Sequence, residues 1–309
     1  MSEATISVII PTQRRLDGLA TAARSILVQT GVAAERLEMV IVDNDQIPSA
    51  RDLAEALGVE AGFPVRYVHE PEPGVANARN AAMAVAQGDF IAFLDDDEEA
   101  PADWLSNLLK VQDRYDADVV FGPVRGRAPD RIERHRDYLE TFFSRIGPAQ
   151  SGLIEDYYGC GNSLLRRAAL ADPRQPFSAI RNHIGGEDDL LFGQMKARGA
   201  RFAWGAEAFV WEDPVPSRLC LDYTIRRAFA YGQGPSAACA AANPPNRLGL
   251  AFWMSQGLVQ AAVFGLIAGF KWLIRAPDFA FTLDRAARGL GKTLWWGPFK
   301  IEFYGRSAA

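Results

Sequence analysis

The feature that most limits the possible folds of this chain is an alternation of two patterns over its first 95 residues. Runs rich in β-branched residues predict short strands, and the runs are "ISVIIPT", "LEMVIVDN", "FPVRYVHE" and "FIAFLD". Between them, apolar residues recur at helical spacing, and each segment ends at a glycine or a polar residue. Strands separated by helices imply βαβ units, so we expect an α/β fold with a mostly parallel sheet flanked by helices.

Carboxylates follow three of the four predicted strands. Asp43 ends the second strand, Glu70 follows the third, and the five acids of residues 95–99 follow the fourth. Ligands of parallel sheets bind at the carboxyl ends of strands, so these acids mark a candidate site. Because like charges repel, the run at 95–99 needs either screening by water or a bound cation.

The triplet Asp95, Asp96 and Asp97 suits a nucleoside diphosphate bound through a metal ion. Mg²⁺ and Mn²⁺ take oxygen ligands from one or two carboxylates and from the diphosphate, while another carboxylate can accept from a ribose hydroxyl. On the triplet alone, a solvated loop is an equally good interpretation. A single aspartate such as Asp43 is more often a helix cap or a loop residue.

Two further segments carry candidate site residues. Glu187, Asp188 and Asp189 open an amphipathic segment, where they are either simple caps or include a general base for an attacking hydroxyl. The two glycines before them permit close approach of a ligand. Arg79, in "GVANARNAA", is either an exposed helical arginine or a partner for a phosphate or for Asp95.

Charge and cysteine content narrow the functional class. The net charge of −5 does not favour a nucleic-acid partner, but residues 271–306 hold seven Lys or Arg against three acids, which suggests an anionic surface as partner. Three widely spaced cysteines exclude a disulfide framework and a cysteine-rich zinc site. The first ten residues do not resemble a secretory signal, so we expect the protein to begin in the cytosol.

Residues 248–270 contain no charged side chain and are numerous enough to cross a bilayer. Gln256 and Gln260 interrupt the run, and Gly265 with Gly269 form a GxxxG pattern suited to close helix contact. A span would carry the following basic residues to the far side, against their usual preference. A buried core helix is one alternative, and we favour a helix lying in the cytoplasmic leaflet. We expect residues 1–235 to form a catalytic domain and residues 236–309 a membrane-associating helical region.

Several segments, in this order, resemble the inverting glycosyltransferases of family 2. The matching segments are "SVIIPT" followed by Arg14, "VIVDND", "GVANARNAA", "GDFIAFLDDDE" with Trp104 after it, "GCGNSLLRR", "GGEDDLLF" and "ARGARFAWGAEAFVWE". They cover about residues 5–235. The ending "FVWEDPVPSR" and the basic, aromatic tail look most like bacterial exopolysaccharide glucosyltransferases of the succinoglycan type.

The resemblance implies a Rossmann-like, A-type glycosyltransferase fold and a role for each matched position. Thr12 and Asp43 would bind the nucleotide base, Asp95 the ribose, and Asp97 the metal ion. Arg79 and Asp96 are further candidates for donor binding. Asp188 would be the catalytic base, and Glu187 would contact the acceptor.

Glu212 stands where many relatives have a histidine, and a carboxylate there could still ligate Mn²⁺ or Mg²⁺. The chain lacks the Gln-x-x-Arg-Trp motif of processive synthases, so addition of one sugar is favoured over polymerisation.

We therefore expect a metal-dependent enzyme that moves one sugar from a nucleotide-diphosphate sugar, with a UDP-sugar favoured, to a glycan or lipid-linked acceptor. It would work on the cytoplasmic face of the inner or plasma membrane, as a peripheral or monotopic protein. A catalytically silent nucleotide-sugar or glycan-binding module is one alternative. A sugar nucleotidyltransferase is another, although "PTQRRLDG" is a poor phosphate loop.

Overall fold

The computed structural model describes residues 4–183 and 186–301, without the side chains of residues 181 and 183. Its chain divides into two compact units. Unit 1 contains residues 1–125 and 144–213, and unit 2 contains residues 126–143 and 214–309. The boundary expected at residue 235 falls inside unit 2, and it stays a prediction about domain organisation.

Unit 1 is built on an eight-stranded sheet and a smaller three-stranded sheet. The strands are β1 (Ile6–Thr12), β2 (Leu37–Asp43), β3 (Val65–His69), β4 (Phe90–Phe93), β5 (Glu98–Glu99), β6 (Val119–Phe121), β7 (Val124–Gly126), β8 (Gly152–Ile154), β9 (Ser163–Arg166), β10 (Phe202–Trp204) and β11 (Val210–Glu212). The large sheet has the order β3-β2-β1-β4-β9-β6-β10-β8, and the small one has the order β5-β11-β7.

The large sheet is mostly parallel, as expected from the sequence. Strands β3, β2, β1 and β4 pair in parallel, as do β6 and β10, whereas β9 and β8 pair antiparallel with their neighbours. Strand β2 is buried along its whole length and β1 almost so, because helices cover both faces of such a sheet. This burial explains why their sequences are continuous apolar runs.

Among the described residues of unit 1, five α-helices pack around the sheets. They are α1 (Leu16–Leu27), α2 (Arg51–Glu60), α3 (Val75–Val85), α4 (Trp104–Tyr115) and α6 (Glu187–Ala197). The largest side chains that they and the strands bury include Trp104, Phe192 and Trp204. Since β1, β2 and β4 are parallel neighbours, Thr12, Asp43 and Asp95 all lie at one edge of the sheet.

Unit 2 is helical. Its helices are α5 (Arg136–Phe143), α7 (Leu221–Ala241), α8 (Arg247–Leu273) and α9 (Phe279–Thr293). A small core surrounds Tyr138 of α5, whose ring lies edge-on to Phe281 at 5.3 Å and whose hydroxyl donates to Asp284 at 3.2 Å. Residues 302–309 of the expected basic tail lie outside the described residues.

Helices α8 and α9 form an antiparallel hairpin with close contact and paired polar groups. Lys292 of α9 donates to the side-chain oxygens of Gln256 and Gln260, each at 2.9 Å. Gln260 donates in turn to the carbonyl oxygen of Arg285 at 2.8 Å. The two glutamines that interrupt the apolar run thus have partners on the neighbouring helix.

Two possibilities raised for residues 248–270 are not found in the described chain. Within the described chain, nothing lies within 4 Å of where a Cβ on Gly265 or Gly269 would stand. The close helix contact is instead at Gly257 and Gly289, where an added Cβ would lie 2.6 Å from backbone atoms of the partner helix. The alternative of a buried core helix also fails, because the described α8 buries only Gly257 and Ala268.

Candidate active site

The carboxyl edge of the large sheet brings Thr12, Asp96 and Asp97 together through an arginine. Thr12 Oγ1 donates to Asp96 Oδ2 at 2.7 Å. Arg15, just before α1, donates from Nη1 to Asp96 Oδ1 at 2.6 Å and from Nη2 to Asp97 Oδ2 at 3.0 Å. A guanidinium therefore compensates part of the acidic cluster.

The acidic cluster remains electrostatically strained despite Arg15. Burial raises the pKa of Asp96 to about 6, although Arg15 and Thr12 oppose the rise by favouring the charged form. Burial and the charge of Asp95 also raise the pKa of Asp97. The same two causes raise the pKa of Glu98 well above its ordinary value. A bound cation would relieve all three penalties.

Asp95 lies against the loop that precedes β9. A Cβ on Gly161 would stand 2.5 Å from Asp95 Oδ2 and 3.1 Å from Glu98 Oε1, so only glycine leaves room for these carboxylates. The backbone N–H of Asp95 donates to Glu98 Oε2 at 2.8 Å, and Glu98 N–H donates back to the Asp95 carbonyl at 3.0 Å. These contacts set the direction of the acidic turn.

Arg79 connects the acidic turn to the start of α6. Its buried guanidinium donates to Glu187 Oε1 at 2.6 Å and to Asp95 Oδ1 at 3.4 Å. The predicted contact between Arg79 and Asp95 is therefore present. Burial raises the pKa of Glu187, while Arg79 lowers it and Asp188 raises it further. Any role of Glu187 or Arg79 in ligand binding stays a prediction.

Asp188 lies in the first turn of α6, which begins after Gly186 in a left-handed conformation (φ 77°). Its Oδ2 accepts from the backbone N–H of Cys160 at 3.2 Å, and a Cβ on Gly159 would stand 3.3 Å from that oxygen. The carboxylate is half-buried and next to Glu187, near the strand ends. Gly185, the other glycine predicted to permit close approach, lies outside the described residues.

Asp43 is placed at the same sheet edge, but its carboxylate has several protein partners. It accepts from the backbone N–H groups of Ser49 and Ala50 at 2.5 and 2.7 Å, and from the Tyr67 hydroxyl at 3.0 Å. Burial and Asp43 together raise the pKa of Tyr67 to about 12. These bonds hold the turn before α2, as a loop residue would, whereas the N-cap of α2, Ala50, has no side-chain cap. Binding of a base by Asp43 stays a prediction.

Glu212 is half-buried in β11, opposite Glu98 of β5 in an antiparallel pair. The following N–H, that of Asp213, donates to the Asp97 carbonyl at 2.8 Å, so β11 runs beside the acidic turn. Across residues 4–183 and 186–301, no group of three or more His, Cys, Asp or Glu residues is arranged to hold a metal ion. An ion would need oxygen ligands from a bound diphosphate as well.

Sequence reasoning missed two arginines of this site. Arg15 is the cation between Asp96 and Asp97, and the signal was the basic pair that follows Pro11 and Thr12. Arg145 donates to the Gly161 carbonyl oxygen, and its charge opposes the rise in the pKa of Glu98. Its sequence neighbourhood carries no motif, so only the fold reveals its place.

Comparisons with known proteins match this architecture. The family model "Glycosyl transferase family 2" matches residues 7–172. The succinoglycan biosynthesis protein ExoM of Rhizobium meliloti is 38% identical over 232 residues, which cover 74% of this chain and 73% of that protein.

Two solved structures show the same fold at lower identity. The mannosyltransferase PcManGT of Pyrobaculum calidifontis, in complex with GDP-Man and Mn²⁺, has a TM-score of 0.62 and 20% identity, covering 96% of this chain and 88% of that one. Residues 1–349 of S. aureus TarS in complex with UDP have a TM-score of 0.54 and 16% identity, covering 93% and 89%. The matched family model and the ExoM relative show that the chain belongs to glycosyl transferase family 2.

Proposed function

We propose that this protein is a metal-dependent inverting glycosyltransferase that adds one sugar to a glycan or lipid-linked acceptor during exopolysaccharide synthesis. The donor is a nucleotide-diphosphate sugar, with a UDP-sugar favoured. The similarity to a succinoglycan biosynthesis protein supports the exopolysaccharide context. The nucleotide complexes of TarS and PcManGT support a nucleotide-sugar donor.

The arrangement of Asp188 carries the proposal. Its carboxylate lies beside Gly159 and Cys160, on the same glycine-rich loop that contacts Asp95 through Gly161. The proposed base and the acidic turn proposed to bind the diphosphate thus contact the same short loop. In the proposed step, the acceptor oxygen attacks the anomeric carbon while the bond from that carbon to the diphosphate oxygen breaks. Asp188 takes the hydroxyl proton, and the nucleoside diphosphate leaves with the bonding electrons.

The chain's own residues fit a divalent cation at the acidic turn. Asp97 is a hard oxygen donor whose only described ion-pair partner is Arg15, and Glu212 lies on the adjoining strand. Asp97 and Glu212 would hold Mn²⁺ or Mg²⁺, which supplies neutralisation of the departing diphosphate. Arg15 orients Asp96 and Asp97, and Arg79 fixes Asp95.

A screen of purified protein against nucleotide sugars tests the activity. Release of nucleoside diphosphate, dependent on Mn²⁺ or Mg²⁺ and on an added acceptor, is the expected result. Binding of nucleotide sugar without any release would favour the silent binding module. Formation of sugar nucleotide from nucleoside triphosphate and sugar phosphate would favour the nucleotidyltransferase.

We also propose that unit 2 attaches the enzyme to the cytoplasmic leaflet. Among the described residues, α8 is the one helix long and apolar enough to cross a membrane by length and composition. One of its faces exposes an apolar stripe, interrupted at Ser255, which consists of Leu248, Phe252, Val259, Val263, Leu266 and Phe270. Helix α9, with 15 residues, is about 22 Å long and too short to recross a bilayer of about 30 Å. A hairpin lying in the interface satisfies both observations.

A further inference from the structure

A cavity lies within unit 2, at the turn between α8 and α9. Its volume is about 810 Å³, enough for a small polar group with part of an attached chain. One wall is formed by residues 133–138 and the other by residues 271–281. None of these residues belongs to the site of sugar transfer in unit 1.

Four Lys or Arg side chains line this turn cavity, and two of them lack a carboxylate partner. Lys271 pairs with Asp278, and Arg136 pairs with Glu140. No described carboxylate lies within ion-pair distance of Arg134 or Arg275, and the Arg134 side chain donates only to the ring of His135. The lining acids Glu133 and Asp137 are exposed to solvent. Two arginines therefore remain available for an anion.

Exposed apolar side chains at the end of α8 border the cavity. Trp272 and Leu273 line it, with 66% and 72% of their surface exposed, and Ile274 follows at 57%. Phe279 and Phe281 line the opposite side. A free phosphate would gain nothing from these apolar side chains, whereas a phosphate that carries acyl chains would contact both the arginines and the apolar surface.

We propose that the turn cavity binds the phosphate headgroup of an anionic membrane phospholipid, with Arg134 and Arg275 as its ligands. The acyl chains then lie along Trp272, Leu273 and the apolar stripe of α8. This inference rests on the proposed attachment to the cytoplasmic leaflet and adds a defined headgroup site to it. Attachment thereby depends on particular arginines as well as on the general basic charge of the helices.

Vesicle binding by the full-length protein tests the site. The double variant Arg134→Gln/Arg275→Gln is compared with Arg226→Gln/Arg247→Gln, which removes the same charge from α7 and from the opposite end of α8. Each arginine is proposed to make a charge-assisted hydrogen bond to the phosphate, so the cavity variant should bind phosphatidylglycerol vesicles more weakly by roughly tenfold or more. The control variant should keep most of its affinity. Equal losses would overturn the headgroup site, because they indicate diffuse attraction.

A second measurement separates a lipid from a free anion. Monomeric dihexanoyl-phosphatidylglycerol should bind the wild-type protein saturably and the cavity variant at least tenfold more weakly, while inorganic phosphate binds poorly to both. Inorganic phosphate binding as tightly as the short lipid would overturn the lipid assignment. Unchanged melting temperatures and nucleoside diphosphate release in both double variants show that folding and sugar transfer are intact. If the wild-type protein does not bind vesicles but still releases nucleoside diphosphate, the proposed membrane attachment is wrong and the proposed enzyme activity is unaffected.

Discussion

At the scale of single residues, the proposed chemistry depends on Asp188 and on the two arginines, Arg15 and Arg79, that pair with the other acids of the site. The Cys160 N–H donates to Asp188 Oδ2 and so fixes one of the two carboxylate oxygens. Oδ1 accepts from the N–H of Asp189 at 2.9 Å. Two backbone N–H groups thus hold the carboxylate in place.

Asp188→Asn tests the base directly. The amide keeps the shape and loses the basicity, so kcat should fall by about 10²–10⁴-fold while donor affinity stays within a few-fold of wild type. Steady-state kinetics and donor titration measure the two quantities. Asp189→Asn, one residue further on the same helix, is the matched control and should remain active. A collapse of donor affinity in Asp188→Asn would identify a binding residue instead.

Asp97→Ala tests the cation site. We expect loss of turnover and of Mn²⁺-dependent nucleotide binding, because Asp97 is the proposed ligand. The unliganded protein should be at least as stable as wild type, since a buried repelling charge has gone. Calorimetry with and without Mn²⁺ reports binding, and thermal unfolding reports stability. Asp103→Ala, an exposed aspartate nearby, is the control, and full activity in Asp97→Ala would refute the assignment.

At the scale of elements, Glu38 joins three parts of the sheet of unit 1. Its buried carboxylate accepts from the Ser7 hydroxyl at 2.5 Å, from Arg66 Nε at 2.8 Å and from the Gln87 N–H at 2.5 Å. Burial raises the pKa of Glu38, but these three donors outweigh burial and lower it. The charged form is therefore favoured in the folded state.

Glu38→Gln should lower the free energy of unfolding by about 1–3 kcal/mol at pH 7. Because the folded-state pKa lies below the unfolded value, this stabilisation is present above the unfolded pKa and is lost as pH falls through the folded one. The difference in the free energy of unfolding between wild type and variant should therefore become smaller below about pH 4.5. Urea titrations across this range measure it. Glu35→Gln, which changes an exposed neighbour, is the control and should have the same free energy of unfolding as wild type. A difference for Glu38→Gln that does not change with pH would contradict the linkage.

Contact between α8 and α9 depends on Gly257. Alanine there would place Cβ 2.6 Å from the Gly289 carbonyl oxygen, which should lower the free energy of unfolding by about 1–2 kcal/mol. A Cβ on Gly265 would contact no atom of another described helix, so Gly265→Ala should raise the free energy of unfolding by about 0.5–1 kcal/mol through helix propensity. Thermal unfolding compares the two variants. Stabilisation by both would mean that the helices do not pack at Gly257.

The elements differ in how far the sequence predicts them. The first four strands and the acidic turn after β4 were predictable, because buried parallel strands read as apolar runs that end at the ligand edge. Arg15 and Arg145 were not, since a long side chain finds its partners only in the assembled fold. The helix contact at Gly257 was likewise not predictable, because the GxxxG pattern lies at Gly265 and Gly269, where an added Cβ would contact no other described helix.

At the scale of the whole molecule, the hairpin geometry decides how membrane topology is measured. Because α8 and α9 run antiparallel, a span of α8 would carry the turn between the two helices to the far side of the bilayer. The turn between the helices is the informative position. Pro277 lies there and is exposed.

Pro277→Cys should react with an impermeant maleimide from the cytosolic face alone. The background is Cys220→Ser/Cys239→Ser, which removes the accessible native thiols and keeps the buried Cys160. Glu72→Cys in unit 1 serves as the cytosolic reference. Labelling of right-side-out and inside-out vesicles is compared by mass spectrometry. Reaction of Pro277→Cys from the outer face would require that α8 spans the bilayer.

The division of the chain into units has a consequence for its synthesis. Residues 126–143 leave the ribosome long before the helices that cover them, and Tyr138 precedes its partner Asp284 by 146 residues. At about 5–20 residues per second, Tyr138 and Leu139 wait roughly 7–30 s without their native neighbours. Unit 1 can fold during this time without residues 126–143, because its own chain resumes at Ser144. The nascent enzyme thus presents the apolar side chains of Tyr138 and Leu139 to chaperones or to the membrane before its last helices exist.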